Sequence, residues 1–199
     1  MFQFSQAGEV AFTSLLICEE LELYHPTIKD HAAWMALREK SRAHLTLWED
    51  DWTRRETALT AFKRRLRAWE RQQRQGVGLS LFARRRADSE LVGGATVSNI
   101  RLGASRSGIL GYWIGAPFVG RGYGAQAVRA VVDHSFDALS LNRLEAACQP
   151  ENAASRALLT KLGFRHEGLA RDYLKINGAW RDHDIFALIA RDRCSAAQS

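Results

Sequence analysis

GYWIGAPFVGRGYGAQA, residues 111–127, is the stretch on which the fold turns. The apolar run Ile109 to Ile114 leading through it reads as a buried strand. A loop with Gly120, Gly122 and Gly124 follows, then a helical pattern with Ala127, Val128, Val131 and Val132 on one face. Strand, glycine loop and helix together let a backbone present several N–H groups to a phosphate, and the helix N-terminus adds partial positive charge. The stretch predicts a pyrophosphate cradle.

Spacing separates the kinds of cradle. Gly120, Gly122 and Ala125 fit the G-x-G-x-x-A dinucleotide pattern formally, a weak signal alone. A Rossmann unit needs an acidic residue at the end of the next strand. That strand here, Arg143 to Cys148, runs instead into Gln149 and Pro150, and too little chain follows for a doubly wound sheet. No Gly-Lys-Ser/Thr follows the loop, so Walker A is excluded. A glycine-rich turn without a ligand is the competing reading.

The next segment narrows the choice. Asn152-Ala153-Ala154-Ser155 opens a helix with Ala154, Leu158, Leu159 and Leu162 as its apolar positions, Gly163 ends it as a left-handed cap, and Phe164 starts another strand. With these residues in place the chain resembles the GNAT superfamily of acetyl-CoA-dependent N-acetyltransferases. Within it the chain is similar to the ribosomal-protein alanine N-acetyltransferases, the Rim group, nearest the RimJ branch. The segments that carry the resemblance are LGYWIG, GRGYGAQA, RLEAACQPENAASRALLTKLGF and EGLARDYLKINGAWRDHDIFAL, covering Val92 to Leu188 well and the first ninety residues loosely.

Composition agrees with one soluble domain. At 199 residues, length favours a single core over 1–199, with an N-terminal extension (1–19), a core (20–190) and a tail (191–199). No apolar run reaches membrane-spanning length. The run Val10 to Cys18 lacks a basic leader and precedes Glu19 and Glu20, which argues against a signal peptide and makes the cytoplasm the expected compartment. Cys18, Cys148 and Cys194 are widely spaced, with no C-x-x-C pair at zinc spacing, so no metal site is expected.

A coarse pass gives an α+β order. Leu21 to Tyr24 reads as a strand, Ile28 to Arg42 as a helix with Ala32, Met35 and Ala36 inward, and Thr53 to Gln75 as a second helix with Leu59, Phe62, Leu66 and Trp69 at helical spacing. Strands Leu79 to Arg84 and Leu91 to Arg101 follow, joined through Ala87-Asp88-Ser89. Phe164 to Ile176 and Trp180 to Ile189 close the chain as a hairpin about Asn177-Gly178. This order suits a mixed α/β sheet with helices on both faces; the resemblance implies a mostly antiparallel sheet with one parallel strand pair splayed at the acetyl-CoA site.

The net charge of +6 is concentrated. Arg54, Arg55, Lys63, Arg64, Arg65, Arg67, Arg71 and Arg74 crowd the second helix, and Arg84, Arg85 and Arg86 a strand end. Such a face is either simply solvated or attracts RNA-rich and acidic partners such as a ribosomal particle.

The resemblance also implies a site. Pantetheine would bond the exposed backbone at Trp113 and Ile114, with the N–H near Ile114 as oxyanion donor. Amides of Gly120, Arg121, Gly122, Tyr123, Gly124 and Ala125 would hold the pyrophosphate. Val119 departs from the Gln or Arg often found at the start of this motif, which touches one side-chain contact and not the backbone cradle. The tyrosine that many relatives use to protonate the thiolate has its place here at Leu159, so that role is vacant, and the resemblance to the Rim group implies Ser155 of the Asn-x-x-Ser motif for it. Asn152 and Ser155 read either as a helix cap alone or as a cap that also contacts pantetheine. For the general base, the glutamate of the related branch falls at Leu174. Glu49, beside Trp48 on a loop that borders the acceptor in relatives, is the better candidate, with Glu145 and Asp172 behind it.

A magnitude bears on the acceptor. An α-amine with pKa near 7.7–8.0 is roughly a tenth neutral at pH 7, whereas lysine needs about 3.4 units, or ~4.6 kcal/mol, to deprotonate. A site without a strong base suits the α-amine. Three functions follow: an Nα-acetyltransferase for the N-terminal residue, alanine first, of a small-subunit ribosomal protein; an acetyltransferase for a small amine such as an antibiotic, polyamine or amino acid; or a CoA-binding ribosome-assembly factor without essential catalysis. The RimJ-like WRDH string at 180–183 favours the first over the second.

Overall fold

The computed structural model describes residues 16–196. Most of the Val10 to Cys18 run and the end of the tail lie outside them, as does the side chain of Cys194. Among the described residues eight strands form one sheet: β1 (Leu16–Ile17), β2 (Leu21–Tyr24), β3 (Leu79–Arg85), β4 (Leu91–Arg101), β5 (Ser107–Ile114), β6 (Arg143–Cys148), β7 (Arg165–Ile176) and β8 (Ala179–Ile189). Their spatial order is β1-β2-β3-β4-β5-β6-β8-β7, antiparallel throughout except for the parallel pair β5–β6. The mixed sheet expected from the sequence is therefore present, with the last strand inserted between β6 and β7.

Helices α1 (His31–Lys40), α2 (Arg42–Leu45), α3 (Arg54–Thr57) and α4 (Leu59–Arg74) precede β3; α5 (Tyr123–Asp137) and α6 (Ala153–Lys161) flank β6; α7 (Ala190–Ala196) follows β8. Strand alternation assigns their faces. Ile114 points to α5, where its Cγ1 would lie 3.5 Å from a side chain at Gly124. Trp113, one residue earlier, points the other way and meets Arg38 of α1. That second face carries an aromatic stack in which Phe62 of α4 lies 5.0 Å from Trp34 of α1 and 6.4 Å from Phe82 of β3. On the first face α5 buries Ala127, Val128, Val131 and Val132, as its spacing predicted.

Two helix expectations are corrected. In α1 the buried residues are Trp34 and Leu37, while Ala32, Met35 and Ala36 are exposed, so the apolar stripe is one step out of phase with the reading. The expected Thr53 to Gln75 helix is two: Thr53 and Glu56 form a capping box on α3, and the chain then breaks at Ala58 (ψ 152°) before α4 begins. Leu59, at that break, is exposed rather than buried. The hairpin turn does form at Asn177 (φ +50°) and Gly178 (φ +81°), and Gly163 (φ +88°) is the left-handed cap of α6. No helix among the described residues is long and apolar enough to cross a membrane.

Candidate active site

The β5–β6 ladder is short. Its rungs are Ser107↔Arg143, Gly108↔Leu144 and Ile109↔Glu145, and beyond Ile109 the two strands part. The groups that line the opening follow from the other side of β5. Gly115 N–H donates to Val92 C=O, so odd-numbered residues in this stretch turn their backbone polar groups toward β4. Tyr112 and Ile114 therefore turn theirs into the gap. Of the two expected pantetheine contacts, Ile114 presents its backbone to the opening, whereas the Trp113 backbone is committed to β4. The indole of Trp113 instead lines the opposite face.

The glycine loop connects β5 to α5. Gly120 (φ +75°) and Gly122 (φ +80°) are left-handed, and a Cβ on either would meet nothing within 4 Å. Gly122 is the N-cap of α5, whose first intrahelical bond is Gln126 N–H to Gly122 C=O. The amides of Gly122, Tyr123, Gly124 and Ala125 consequently have no acceptor within the helix. Gly124 has a different purpose: a side chain there would press on Leu158 Cδ1 at 3.0 Å, so this glycine lets α5 and α6 close on each other. A concave, open, N–H-rich loop suits a pyrophosphate.

Asn152 caps α6 by accepting from Ser155 N–H at 3.0 Å. The Ser155 hydroxyl lies 2.7 Å from the Tyr112 hydroxyl across the first turn. Burial pushes Tyr112 up to about 12. Burial likewise raises the Cys148 thiol. Leu159 is fully buried in the core. Tyr112 was missed in the sequence because its partner lies 43 residues away and its place in an apolar run reads as core.

On the other face, residues 41–52 form a rim pinned at three places. Ser41 Oγ accepts from Ala116 N–H at 2.9 Å, and Gln149 Nε2 donates to Leu47 C=O at 3.3 Å. Asn177, at the tip of the β7–β8 hairpin, donates to Thr46 C=O at 2.9 Å and Asp50 Oδ1 at 2.6 Å and accepts from Asp51 N–H at 2.6 Å. The rim carries Trp48 and Glu49. Arg38 Nη2 stands 2.7 Å from Glu49 Oε1, and its guanidinium lies 4.0 Å from the Trp52 ring centroid and 5.4 Å from that of Trp113. Burial raises the Glu49 carboxyl above the ordinary range, with the Arg38 charge opposing it. Arg65 is lowered by burial and then by the Arg38 charge. Arg38 Nε and Trp52 Nε1 are buried without hydrogen-bond partners, while Glu49 Oε1 is held in the Arg38 ion pair.

The remaining candidates lie on β6 and β7. Asp172 is exposed at φ +48° in an irregular part of β7, and its N–H donates to Asp182 Oδ1 at 2.9 Å. Glu145 is bound to Arg143 Nε at 2.8 Å beside the last rung of the parallel pair. Leu174 is exposed on β7. Among the described residues no group of three or more His, Cys, Asp or Glu could hold a metal ion.

The profile described as acetyltransferase (GNAT) domain matches residues 20–165, most of the chain. The chain belongs to the GNAT acetyltransferase family. Among GNAT relatives, the [ribosomal protein uS5]-alanine N-acetyltransferase of Escherichia coli K12 is 38% identical over 105 residues, which is 53% of this chain and 54% of that protein. The chain thus spans about half the length of the curated relatives it matches. The GNAT fold extends further in space. The RimJ of Mycobacterium smegmatis, solved in complex with CoA-disulfide, shares 35% identity at a TM-score of 0.81 over 89% of both chains. The ribosomal-protein-S5-alanine acetyltransferase of Vibrio fischeri shares 27% identity at a TM-score of 0.82 over 88% of this chain and 96% of its own.

Proposed function

We propose that this GNAT protein transfers the acetyl group of acetyl-CoA to the N-terminal α-amine, alanine first, of a small-subunit ribosomal protein in the cytoplasm. The observation that carries the reading is the opening beyond Ile109↔Glu145, with an anion cradle at one side and a carboxylate-bearing rim at the other. The names of the Escherichia coli and Vibrio fischeri relatives, both alanine acetyltransferases of a ribosomal protein, support the choice of acceptor. The CoA-disulfide held by the Mycobacterium smegmatis relative supports the choice of donor.

Acetyl-CoA supplies an activated thioester. In this reading the amides from Gly120 to Ala125 hold its pyrophosphate and the Ile114 N–H receives the carbonyl oxygen as negative charge builds there. Glu49, made more basic by burial, draws the acceptor ammonium to the rim and takes its proton directly or through water. Trp48 flanks the acceptor. The amine nitrogen bonds to the carbonyl carbon, the C–S bond breaks, and the Ser155 hydroxyl hydrogen-bonds and protonates the departing sulfur, regaining from water a proton that the acceptor amine has released. Residues 20–190 act as one domain, and Asp172 borders the acceptor from the hairpin side.

The outer face of α4 is the proposed contact with the particle. Lys63, Arg64, Arg67, Arg71 and Arg74 are exposed, form no ion pair with the described residues and fall within about 100° of the helix circumference. Intact-mass analysis of ribosomal proteins from cells with and without the gene tests the function. A +acetyl shift on one N-terminus that depends on the gene is expected. Acetylation confined to small amines or lysine side chains, or no turnover at all, overturns it.

A further inference from the structure

We propose that Tyr112 is a positioning residue for the reaction, fixing the direction in which the Ser155 hydroxyl points. The inference rests on Ser155 being the group that meets the departing sulfur. A serine hydroxyl turns about a single bond, and the Asn152 cap fixes only the Ser155 backbone. The side chain needs a second anchor to aim its hydrogen. Tyr112 supplies one at 2.7 Å, the usual separation for an O–H···O bond.

The direction of that bond follows from chemistry. A serine hydroxyl has one hydrogen and two acceptor lone pairs. If Ser155 donated to Tyr112 it would have no hydrogen left for the sulfur. With Tyr112 donating, the Ser155 hydrogen is directed away from the ring. A phenol is protonated at neutral pH, and burial favours that form further. The placement is also specific. Tyr112 and Ile114 share the α5–α6 face of β5, and the backbone of both opens into the gap beyond the last β5–β6 rung. One short strand segment thus carries the carbonyl-oxygen donor and the anchor of the leaving-group donor. Tyr112 itself does not touch the reacting atoms and loses no proton.

The test is a double-mutant cycle with acetyl-CoA and an Ala-starting peptide. Tyr112→Phe keeps the ring and removes the donor, so kcat should fall roughly tenfold, the worth of one well-placed hydrogen bond, with the acetyl-CoA KM unchanged. Ser155→Ala should lower kcat by about 100-fold. Tyr112→Phe added to Ser155→Ala should cost nothing more. Ser155→Thr retains a hydroxyl without disturbing β5; it should keep activity with Tyr112 present and lose roughly tenfold in the Tyr112→Phe background, as Ser155 does. A full kcat in Tyr112→Phe, or losses that multiply in the double variant, overturns the inference while leaving Ser155 in its role. Full turnover in Ser155→Ala overturns that role itself, and the inference with it.

Discussion

Gly122→Asp separates charge from backbone strain at the cradle. The residue sits at φ +80° with no atom within 4 Å of its missing Cβ, so packing admits a side chain. The left-handed backbone costs a residue with a Cβ about 1–2 kcal/mol, less for Asp. That strain is present with and without ligand and therefore lowers stability rather than affinity. The charge acts on the ligand. A carboxylate in front of the free α5 amides would stand on the order of 5 Å from a bound phosphate, where two unit charges repel by about 0.8 kcal/mol in bulk water and about 3 kcal/mol at an effective dielectric constant of ~20. CoA affinity should fall between about fourfold and about 200-fold. Calorimetry at low and high salt measures it, with Gly122→Ala as the strained but uncharged control. The Asp deficit should shrink as salt rises, and turnover of acetyl-pantetheine, which lacks the pyrophosphate, should be equal in all three proteins. Wild-type CoA affinity in Gly122→Asp, or an equal loss in Gly122→Ala, would refute the cradle.

Glu49→Gln should lower acetylation of Ala- and Ser-starting peptides. In the wild type the acid limb of kcat/KM should lie above the ordinary glutamate value of about 4.3, because burial raises this carboxyl and the base must be ionised; the limb should vanish in the variant. Asn177→Gly keeps the left-handed turn but cuts the rim loose at Thr46 and Asp51, so the acceptor KM should rise with CoA affinity unchanged, at about 1–2 kcal/mol in stability. Gly93→Ala would drive a Cβ into the Trp113 carbonyl oxygen, a backbone atom that cannot yield; thermal unfolding should show a Tm lower by about 5 °C. Reaction with ribosomal particles should weaken as salt rises, while a short neutral peptide should show much less dependence, since it cannot use the field of α4.

What the sequence disclosed was local. The bounds of β4 and β6, the Asn177-Gly178 turn, the Asn152 cap and the Gly163 cap all depend on neighbours within a few residues, and each was readable. The phase of α1 was not, because Trp34 and Leu37 are chosen by Phe62 and by Gly115, whose missing side chain admits Leu37. The break at Ala58 carries no proline or glycine to announce it. Of the candidate site, the glycine loop and the Asn152 cap were legible, and the side-chain pairs were not. Arg38 beneath Glu49 and Tyr112 against Ser155 join elements that only the folded sheet brings together. The parity that turns Ile114 into the gap and Trp113 away from it depends on the register with β4, which no single strand encodes.

The position of β8 has a consequence for biosynthesis. As the chain leaves the ribosome, β6 emerges with three rungs to β5 and an open edge, and its other neighbour is still to be translated. Six rungs with β8 complete it, and β8 then holds β7 from its far side. Residues 179–189 therefore act as a keystone: losing them removes the support of two other strands rather than trimming a border. A nascent chain stalled before residue 179 would display an unpaired strand edge of the kind that recruits other chains.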